Sequence, residues 1–299
     1  MVRCLLSFAR SGLIAVRTFG YIAGGMKYSM LDEPRASDAL MDFGDKLIKH
    51  DIPCSGFQMS SGYTIAQKAP HTRNVFTWNY HRFPDPKGFV EAFDARGIKL
   101  MMNIKPYLMA THPEYARLVQ AGALFTDPAT KQTAVARLWS AGGGESAEGG
   151  HLDLTSAAGF DFWFQGVKAL RELGVACMWN DNNEFVIASD SWQCALSEET
   201  TKRDMTSSSS NLGNEIGLWG RALQTELMGK ASHDAMLEVA PEERPFVLTR
   251  SASVGTLRYC ASSWSGDNVT SWDGMRGANA ISLTAGMCLL QVCSPSTLP

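Results

Sequence analysis

The chain of 299 residues carries 27 Lys and Arg against 30 Asp and Glu, a formal net charge of −3, and 45% of its residues are hydrophobic. This balance is that of an ordinary globular protein, and its basic residues are scattered, so we expect neither nucleic acid nor a membrane as a partner. No apolar stretch of the sequence is long enough to span a bilayer.

The seven cysteines and six histidines show no metal-binding spacing, since the sequence has no C-x-x-C, H-x-H or H-x-x-x-H pattern. No glycine-rich phosphate loop follows the first predicted strand either, so we expect neither metal nor cofactor. Cys54 and Cys177 lie in apolar runs typical of buried free thiols, which favours a reduced, cytoplasmic protein. Residues 1–17 hold three Arg and no acid and form a segment of unclear role. The oligomeric state stays open.

Residues 18–290 alternate short apolar runs with helical patterns. Six runs are too short for free-standing helices and are predicted as strands: Phe19–Ala23, Pro53–Met59, Ile98–Ile104, Val175–Trp179, Phe246–Leu248 and Tyr259–Ser263. Five segments carry apolar residues at helical spacing: Ser37–His50, Pro84–Arg96, Thr155–Leu173, Asn214–Glu226 and Gly274–Leu290. Residues 107–153 and 186–244 exceed ordinary connections and are predicted to be insertions that wall a pocket.

The alternation of strands and helices predicts a parallel sheet flanked by helices. Polar and aromatic residues follow the carboxyl ends of five of these strands: Gln58 to Tyr63, Lys105 and Pro106, Asn180 to Glu184, Arg250 and Ser251, and Trp264 to Asn268. Barrel enzymes build their active sites on that one face. The predicted fold class is therefore α/β, with a (β/α)8 TIM-barrel catalytic domain.

Two acidic residues at this face meet a specific chemical need. Asp181 follows the fourth strand among three asparagines, and Asp267 follows the sixth beside Trp264 and Gly266. Either segment alone is equally well explained as a polar turn. Together they fit retaining glycoside cleavage, in which one carboxylate attacks the anomeric carbon while another protonates the leaving oxygen and later activates water.

Both segments resemble glycoside hydrolase family 31. The stretch WNDNNE, beginning at Trp179, is similar to the nucleophile motif of that family, and TRSASVGTLRYCASSWSGDN, beginning at Thr249, is similar to its acid/base segment. The resemblance covers roughly Phe19 to Leu290. It implies a retaining α-glycosidase with Asp181 as the nucleophile and Asp267 as the general acid/base.

The resemblance also implies roles for the residues around this pair. Glu184 would brace the nucleophile loop. The terminal sugar would be bound by a larger set, which comprises Arg250, Trp264, Trp179, Asp153, Trp139, Lys105 and Gln58.

The chain departs from the family at three places. The segment from Gln58 to Tyr63 has no acid where many members have two, and Lys105 precedes Pro106 where many have Asp. These changes fit either a subgroup that holds the same glucose differently or a different substrate. Few residues follow Asp267, the seventh-strand pattern of the family is absent, and residues 291–299 form an atypical tail. We therefore expect a barrel truncated before strands seven and eight.

Three functions remain open at this stage. The first is hydrolysis of terminal α-glucosidic bonds in oligosaccharides or other α-glucosides through a covalent glycosyl–enzyme. The second is an α-transglucosylase that uses the same intermediate. The third, of another class, is a catalytically inactive truncated fragment or sugar-binding module.

Overall fold

The computed structural model describes residues 20–139, 146–196, 221–287, 290, 292–293 and 296–297. Its strands, in chain order, are β1 Ile22–Gly24, β2 Gly56–Met59, β3 Lys99–Ile104, β4 Tyr107–Met109, β5 Thr126–Asp127, β6 Gln132–Thr133, β7 Ala136–Trp139, β8 Ser146–His151, β9 Cys177–Asn180, β10 Phe246–Thr249, β11 Ser262–Trp264, β12 Asp267–Asn268, β13 Val292–Cys293 and β14 Ser296–Thr297. Its α-helices are α1 Met26–Ser29, α2 Ala36–Lys49, α3 Pro86–Ala95, α4 Tyr115–Gln120, α5 Ala157–Glu172, α6 Arg221–Val239 and α7 Trp272–Met287, and two 3₁₀ turns span Ser61–Thr64 and Val254–Arg258.

The main sheet has seven parallel strands in the order β1-β2-β3-β9-β10-β11-β13. Each of the first six lies within a run predicted from the sequence or within two residues of it, and the predicted parallel α/β barrel sheet is confirmed. Its central strands are buried on both faces, as the four buried residues of β10 show, because helices cover one face and the barrel interior lies on the other.

The end of the chain differs from the prediction in one respect. The sequence predicts no strand beyond the last helix, yet β13 pairs with β11 through Ser263–Val292 and Trp264–Cys293. A strand of two residues is too short to show a periodic sequence pattern. No eighth strand of this sheet occurs among the described residues, and much of the predicted tail over 291–299 lies outside them.

Helices α3 and α5 show why the sequence folds as it does. Asp85 caps α3 by accepting from the backbone N–H of Gly88 at 3.0 Å, with Pro86 at the first turn. Helix α5 buries Trp163, Val167 and Leu170 at helical spacing, and Gly174, with φ of 100°, ends the segment. These faces close the main core between the helices and the sheet.

Helix α6 corrects two predictions. The sequence predicts a helix over Asn214–Glu226, but the described helix continues to Val239. Its second half was missed because three of the four buried residues there, Ala231, Ser232 and Ala235, are small and give little hydrophobic pattern. Residues 186–244 are predicted to be an insertion, whereas from Arg221 onward they form the crossover helix between β9 and β10. The predicted residues 214–220 lie outside the described part.

Residues 107–139 and 146–151 add a small unit beside the barrel. Strands β4, β8 and β7 form an antiparallel sheet, and β5 and β6 form a hairpin. None of the helices in the described ranges is long and apolar enough to cross a membrane. The same ranges contain no group of three or more His, Cys, Asp or Glu side chains that is placed to hold a metal ion.

Candidate active site

Asp181 lies at the carboxyl end of β9, between the ends of β3 and β10. Its backbone N–H donates to the carbonyl of Ile104 at 2.9 Å, and the N–H of Arg250 donates to the carbonyl of Asn180 at 3.0 Å. These bonds continue the parallel ladders one residue past the strands. The backbone at Asp181 is thereby fixed, and the residue is only 6% exposed.

Each carboxylate oxygen of Asp181 has its own donors. Oδ2 accepts from Nδ2 of Asn103 at 3.0 Å and from the ammonium of Lys105. Oδ1 accepts from the backbone N–H of Asn182 at 2.8 Å and from Nη1 of Arg250 at 3.3 Å. Lys105 also donates to Oδ1 of Asn182 at 2.6 Å. The buried carboxylate therefore has a full set of partners.

The pKa of Asp181 reflects two opposing influences. Burial alone raises it, because desolvation disfavours the charged form. The charge and hydrogen bond of Lys105, the hydrogen bond of Asn103 and the charge of Arg250 outweigh burial and hold the pKa of the carboxyl below its ordinary value. The group is thus ionised at neutral pH, as a carboxylate nucleophile must be.

Arg250 joins the two acidic residues singled out in the sequence. Its Nη1 lies 3.3 Å from Oδ1 of Asp181 and 3.4 Å from Oδ2 of Asp267. Those two oxygens are therefore at most 6.7 Å apart, the sum of the two distances. The side chain of Asp267 is 58% exposed, so it faces solvent across the mouth of the site while Asp181 lies in the floor.

The loop after β9, residues 181–184, is held chiefly by Asn183. Its Nδ2 donates to Oγ1 of Thr249 at 2.7 Å, its Oδ1 accepts from the N–H of Ser251 at 2.8 Å, and its carbonyl accepts from Oγ1 of Thr225 at 2.5 Å. The sequence assigns the bracing to Glu184. That side chain accepts from Nδ2 of Asn182 at 3.4 Å and lies 3.8 Å from Nε of Arg250, so it contacts both the loop and the arginine.

Trp179 and Trp264 form an aromatic pair inside the barrel. Their rings are 5.5 Å apart at an interplanar angle of 74°, an edge-to-face geometry. They pack with Met101 and Leu248 in a small cluster separate from the main core. Trp179 precedes Asp181 by two residues at the end of β9, and Trp264 ends β11 three residues before Asp267, so the pair lies close to both carboxylates along the chain.

Asp153 is not brought to this site. It is 0% exposed, and its oxygens accept from the N–H and Oγ1 of Thr155, from Gln224 and from the N–H of Ala195. The prediction that it binds substrate is not supported by this geometry, because all four donors are internal. Its burial raises its pKa despite those hydrogen bonds.

Two other predicted substrate contacts have different outcomes. Gln58, on β2, donates to Sδ of Met101 at 3.7 Å, on the interior face of the sheet, and no hydrogen bond joins it to the carboxylates in the described structure. Trp139 ends β7, but its side chain lies outside what the structure describes. Lys105, by contrast, lies in the centre of the site.

The sequence analysis missed Asn103 and Tyr107. Asn103 precedes Lys105 by two residues, so both point to the same face of β3, and a polar residue there in an apolar strand was the available signal. Tyr107 lies close enough to the acids that their charges matter. Burial raises its pKa most, and the charges of Glu184 and Asp181 raise it further.

Comparison with known proteins identifies the family. Residues 13–296 match the Glycosyl hydrolases family 31 TIM-barrel domain. The chain is 24% identical over 272 residues to Alpha-glucosidase 2 of Bacillus thermoamyloliquefaciens, an alignment that covers 90% of this chain and 31% of that protein. It is 24% identical over 286 residues to human Neutral alpha-glucosidase C, with coverage of 92% and 28%.

Solved structures agree on the fold. A GH31 alpha-xylosidase from a soil metagenome, complexed with xylose, superposes with a TM-score of 0.75 at 17% identity and covers 97% of this chain and 39% of that one. A Flavobacterium johnsoniae GH31 dextranase complexed with glucose gives 0.71 at 20%, covering 95% and 32%. The chain thus spans about a third of the length of the proteins it matches. The family match over nearly its whole length shows that this chain belongs to glycosyl hydrolase family 31 and contains the TIM-barrel domain of that family.

Proposed function

We propose that this chain provides the catalytic site of a retaining α-glycosidase that hydrolyses terminal α-glucosidic bonds of oligosaccharides. In this proposal Asp181 is the nucleophile and Asp267 is the general acid/base. The observation that carries it is the shared contact of Arg250, which keeps the two carboxylates facing one another across the mouth of the site.

The spacing favours retention over inversion. Retaining enzymes place their two carboxyl groups about 5–5.5 Å apart, whereas inverting enzymes need roughly 6.5–9.5 Å for an intervening water. The upper limit of 6.7 Å between one oxygen of each group, Oδ1 of Asp181 and Oδ2 of Asp267, is compatible with the shorter, retaining spacing.

The electrostatics divide the two roles. Asp181 is buried and held ionised by Lys105 and Arg250, so it can attack the anomeric carbon without first losing a proton. Asp267 is exposed and can exchange a proton with a leaving oxygen in the first step and with water in the second. The tryptophan pair supplies an apolar wall against which a sugar ring packs.

The class of substrate rests on relatives. Two of the matched proteins are named α-glucosidases, and another, from Lactiplantibacillus pentosus, is named an alpha-xylosidase. A terminal α-glucoside is the choice we make for this chain, and an α-xyloside is the competitor to include in every assay.

The first test traps the intermediate. The purified chain is treated with 5-fluoro-α-glucosyl fluoride and analysed by intact mass and peptide mapping. We expect one glycosyl group on Asp181, absent from Asp181→Ala. A label on another residue would assign the nucleophile elsewhere, and a folded chain without any adduct would contradict the proposal.

The second test separates the two carboxylates by stereochemistry. Azide should rescue Asp267→Ala on an activated aryl α-glucoside and give the α-glucosyl azide, because azide then displaces Asp181 from the intermediate. Rescue of Asp181→Ala should instead give the β-azide. Asp273→Ala is the matched control, since the side chain of Asp273 is 93% exposed on α7. Exchange of the two products between the variants would reverse the assigned roles.

A further inference from the structure

The two oxygens of Asp181 lie in different surroundings. Oδ1 contacts Arg250, whose side chain is 24% exposed and also reaches Asp267. Oδ2 contacts Asn103 and Lys105, both of which are buried. Oδ1 is therefore the oxygen that faces the second carboxylate and the mouth of the site, and Oδ2 faces the protein interior.

We propose that Lys105 is a positioning residue that holds the inner oxygen of Asp181 and stabilises this carboxylate as it leaves the sugar. The proposal rests on the retaining mechanism proposed above. It assigns to Lys105 a role that differs from the substrate contact expected from the sequence.

Lys105 is held in place independently of any ligand. Its ammonium contacts Oδ2 of Asp181 and donates to Oδ1 of Asn182 at 2.6 Å. A buried cation is costly unless it is paired and hydrogen-bonded, and here both conditions are met by the nucleophile loop itself. An ammonium that contacts two acceptors on this loop is oriented toward the nucleophile.

The charges around Asp181 come from every neighbouring segment. Lys105 approaches from β3, Arg250 from β10 and Glu184 from the loop itself, while Asp267 lies beyond Arg250 and Tyr107 lies on β4. Arg250 divides its charge among three carboxylates. The charge of Lys105 lowers the pKa of Asp181 more than the charge of Arg250 does, so Lys105 is the cation whose loss the nucleophile should feel most.

The second chemical step makes this charge useful. Water attacks the anomeric carbon and gives its proton to Asp267, while the bond from that carbon to Oδ1 of Asp181 breaks and its electron pair returns to the carboxylate. Negative charge then spreads onto Oδ2, where Lys105 and Asn103 already donate. Preorganised donors at a site of developing charge lower the barrier, so Lys105 favours breakdown of the intermediate.

The decisive comparison uses Lys105→Met, Lys105→Arg and the control Lys99→Met. Lys99 stands at the other end of β3 and pairs with Asp94 at the surface. Carboxyl ¹³C NMR, with the Asp181 signal identified by its loss in Asp181→Asn, reports the pKa without turnover. We expect Lys105→Met to raise that pKa by about one unit or more, because an opposite charge within 4–6 Å typically lowers a carboxylate pKa by 1–3 units. Lys105→Arg should restore most of the difference, and Lys99→Met should leave it unchanged.

Kinetics provide the second readout. With an activated aryl α-glucoside, Lys105→Met should lower kcat and KM together by about tenfold or more and show a burst of about one aryl group per active site, because the intermediate accumulates. If Lys105→Met does not fold, Asn182→Ala, which removes the second acceptor of Lys105, should move both readouts in the same direction by less.

Two results would overturn the inference. An unchanged Asp181 pKa would show that Lys105 does not hold this carboxylate, and a raised KM at constant kcat would make Lys105 a substrate-binding residue. Failure of the proposed function has a different signature: the NMR shift would remain, while the wild-type chain would give no adduct on Asp181.

Discussion

Replacement of Asp153 by Asn tests whether this residue supports the fold or binds the substrate. Its two oxygens accept four hydrogen bonds. Oδ1 takes three of them, from the N–H and Oγ1 of Thr155 and from Nε2 of Gln224. Oδ2 takes the N–H of Ala195 at 2.6 Å. These bonds join the segment after β8 to helix α6 and to the segment after β9.

The expected loss of stability follows from the number of hydrogen-bond donors that lose their acceptor. An amide can keep its oxygen toward the three-donor side, but its NH₂ then faces the N–H of Ala195, and a buried donor without a partner costs about 1–3 kcal/mol. Loss of a buried charge offsets part of this, since burial makes the ionised form of Asp153 unfavourable and raises its pKa. We expect Asp153→Asn to lower the free energy of unfolding by about 1–2 kcal/mol and Asp153→Ala, which leaves all four donors without acceptors, by about 4 kcal/mol or more.

Urea unfolding at pH 7 measures both values, with initial rates on an aryl α-glucoside recorded below the transition. Asp127→Asn is the control, because Asp127 accepts one backbone N–H, from Ala129 at 2.9 Å, at an exposed site. It should change stability by less than about 0.5 kcal/mol. An Asp153→Asn variant with unchanged stability and a raised KM would refute the structural role and reinstate the substrate contact implied by the resemblance.

Three further outcomes follow from the structure. Arg250→Met should reduce kcat/KM about 10²-fold or more, measured by initial rates, because it removes the cation shared by the two carboxylates; a loss below tenfold would contradict the bridging role. His151 is fully buried, and burial lowers its pKa to about 4, below its unfolded value of about 6.5. Between these two pH values the native state binds fewer protons than the unfolded state. The free energy of unfolding should therefore fall by about 3 kcal/mol as the pH drops from 6.5 to 4. In His151→Phe the urea midpoint should depend less on pH across that range than in the wild-type chain. An equal pH dependence in both proteins would contradict this assignment. Ser232→Ala should lower the free energy of unfolding by about 2 kcal/mol in urea titrations, because the hydroxyl accepts from Nε1 of Trp163 at 2.9 Å and donates to Oδ1 of Asn180 at 3.1 Å; a neutral result would mean that water replaces the link.

The strands and the polar loop after β9 were accessible from the sequence because their signals are local. Apolar runs of three to seven residues between helical patterns locate β2, β3, β9 and β10, and the amphipathic spacing of Trp163, Val167 and Leu170 locates α5. Helix α6 was only partly predicted, since small and polar residues such as Gln224, Ala231 and Ser232 interrupt the large apolar side chains on its buried face. Strand β13 is too short to leave a pattern.

The candidate site was predicted less completely because its contacts are long-range. Asp153 stands beside the segment that the resemblance places near the substrate, yet its hydrogen bonds turn it toward Gln224, 71 residues away in the chain. Asn183 braces the loop through partners 66 and 68 residues away, so adjacency to Asp181 in the sequence could not distinguish it from Glu184. The burial of a side chain, and hydrogen-bond partners that lie far away in the sequence, can be read only from the folded structure.

The register of the sheet explains why three charges that are remote in the chain form one row. Ile104 pairs with Asn180, and Asn180 pairs with Thr249, so the next residue along each strand is at the same level of the barrel rim. Those residues are Lys105, Asp181 and Arg250, a carboxylate between two cations. A slip of one residue in any of the three strands would turn its side chain toward the helices, where a buried charge would have no partner. The strand register that brings Lys105, Asp181 and Arg250 together is therefore also the register in which their buried charges are paired. The fold and the proposed chemistry require the same register.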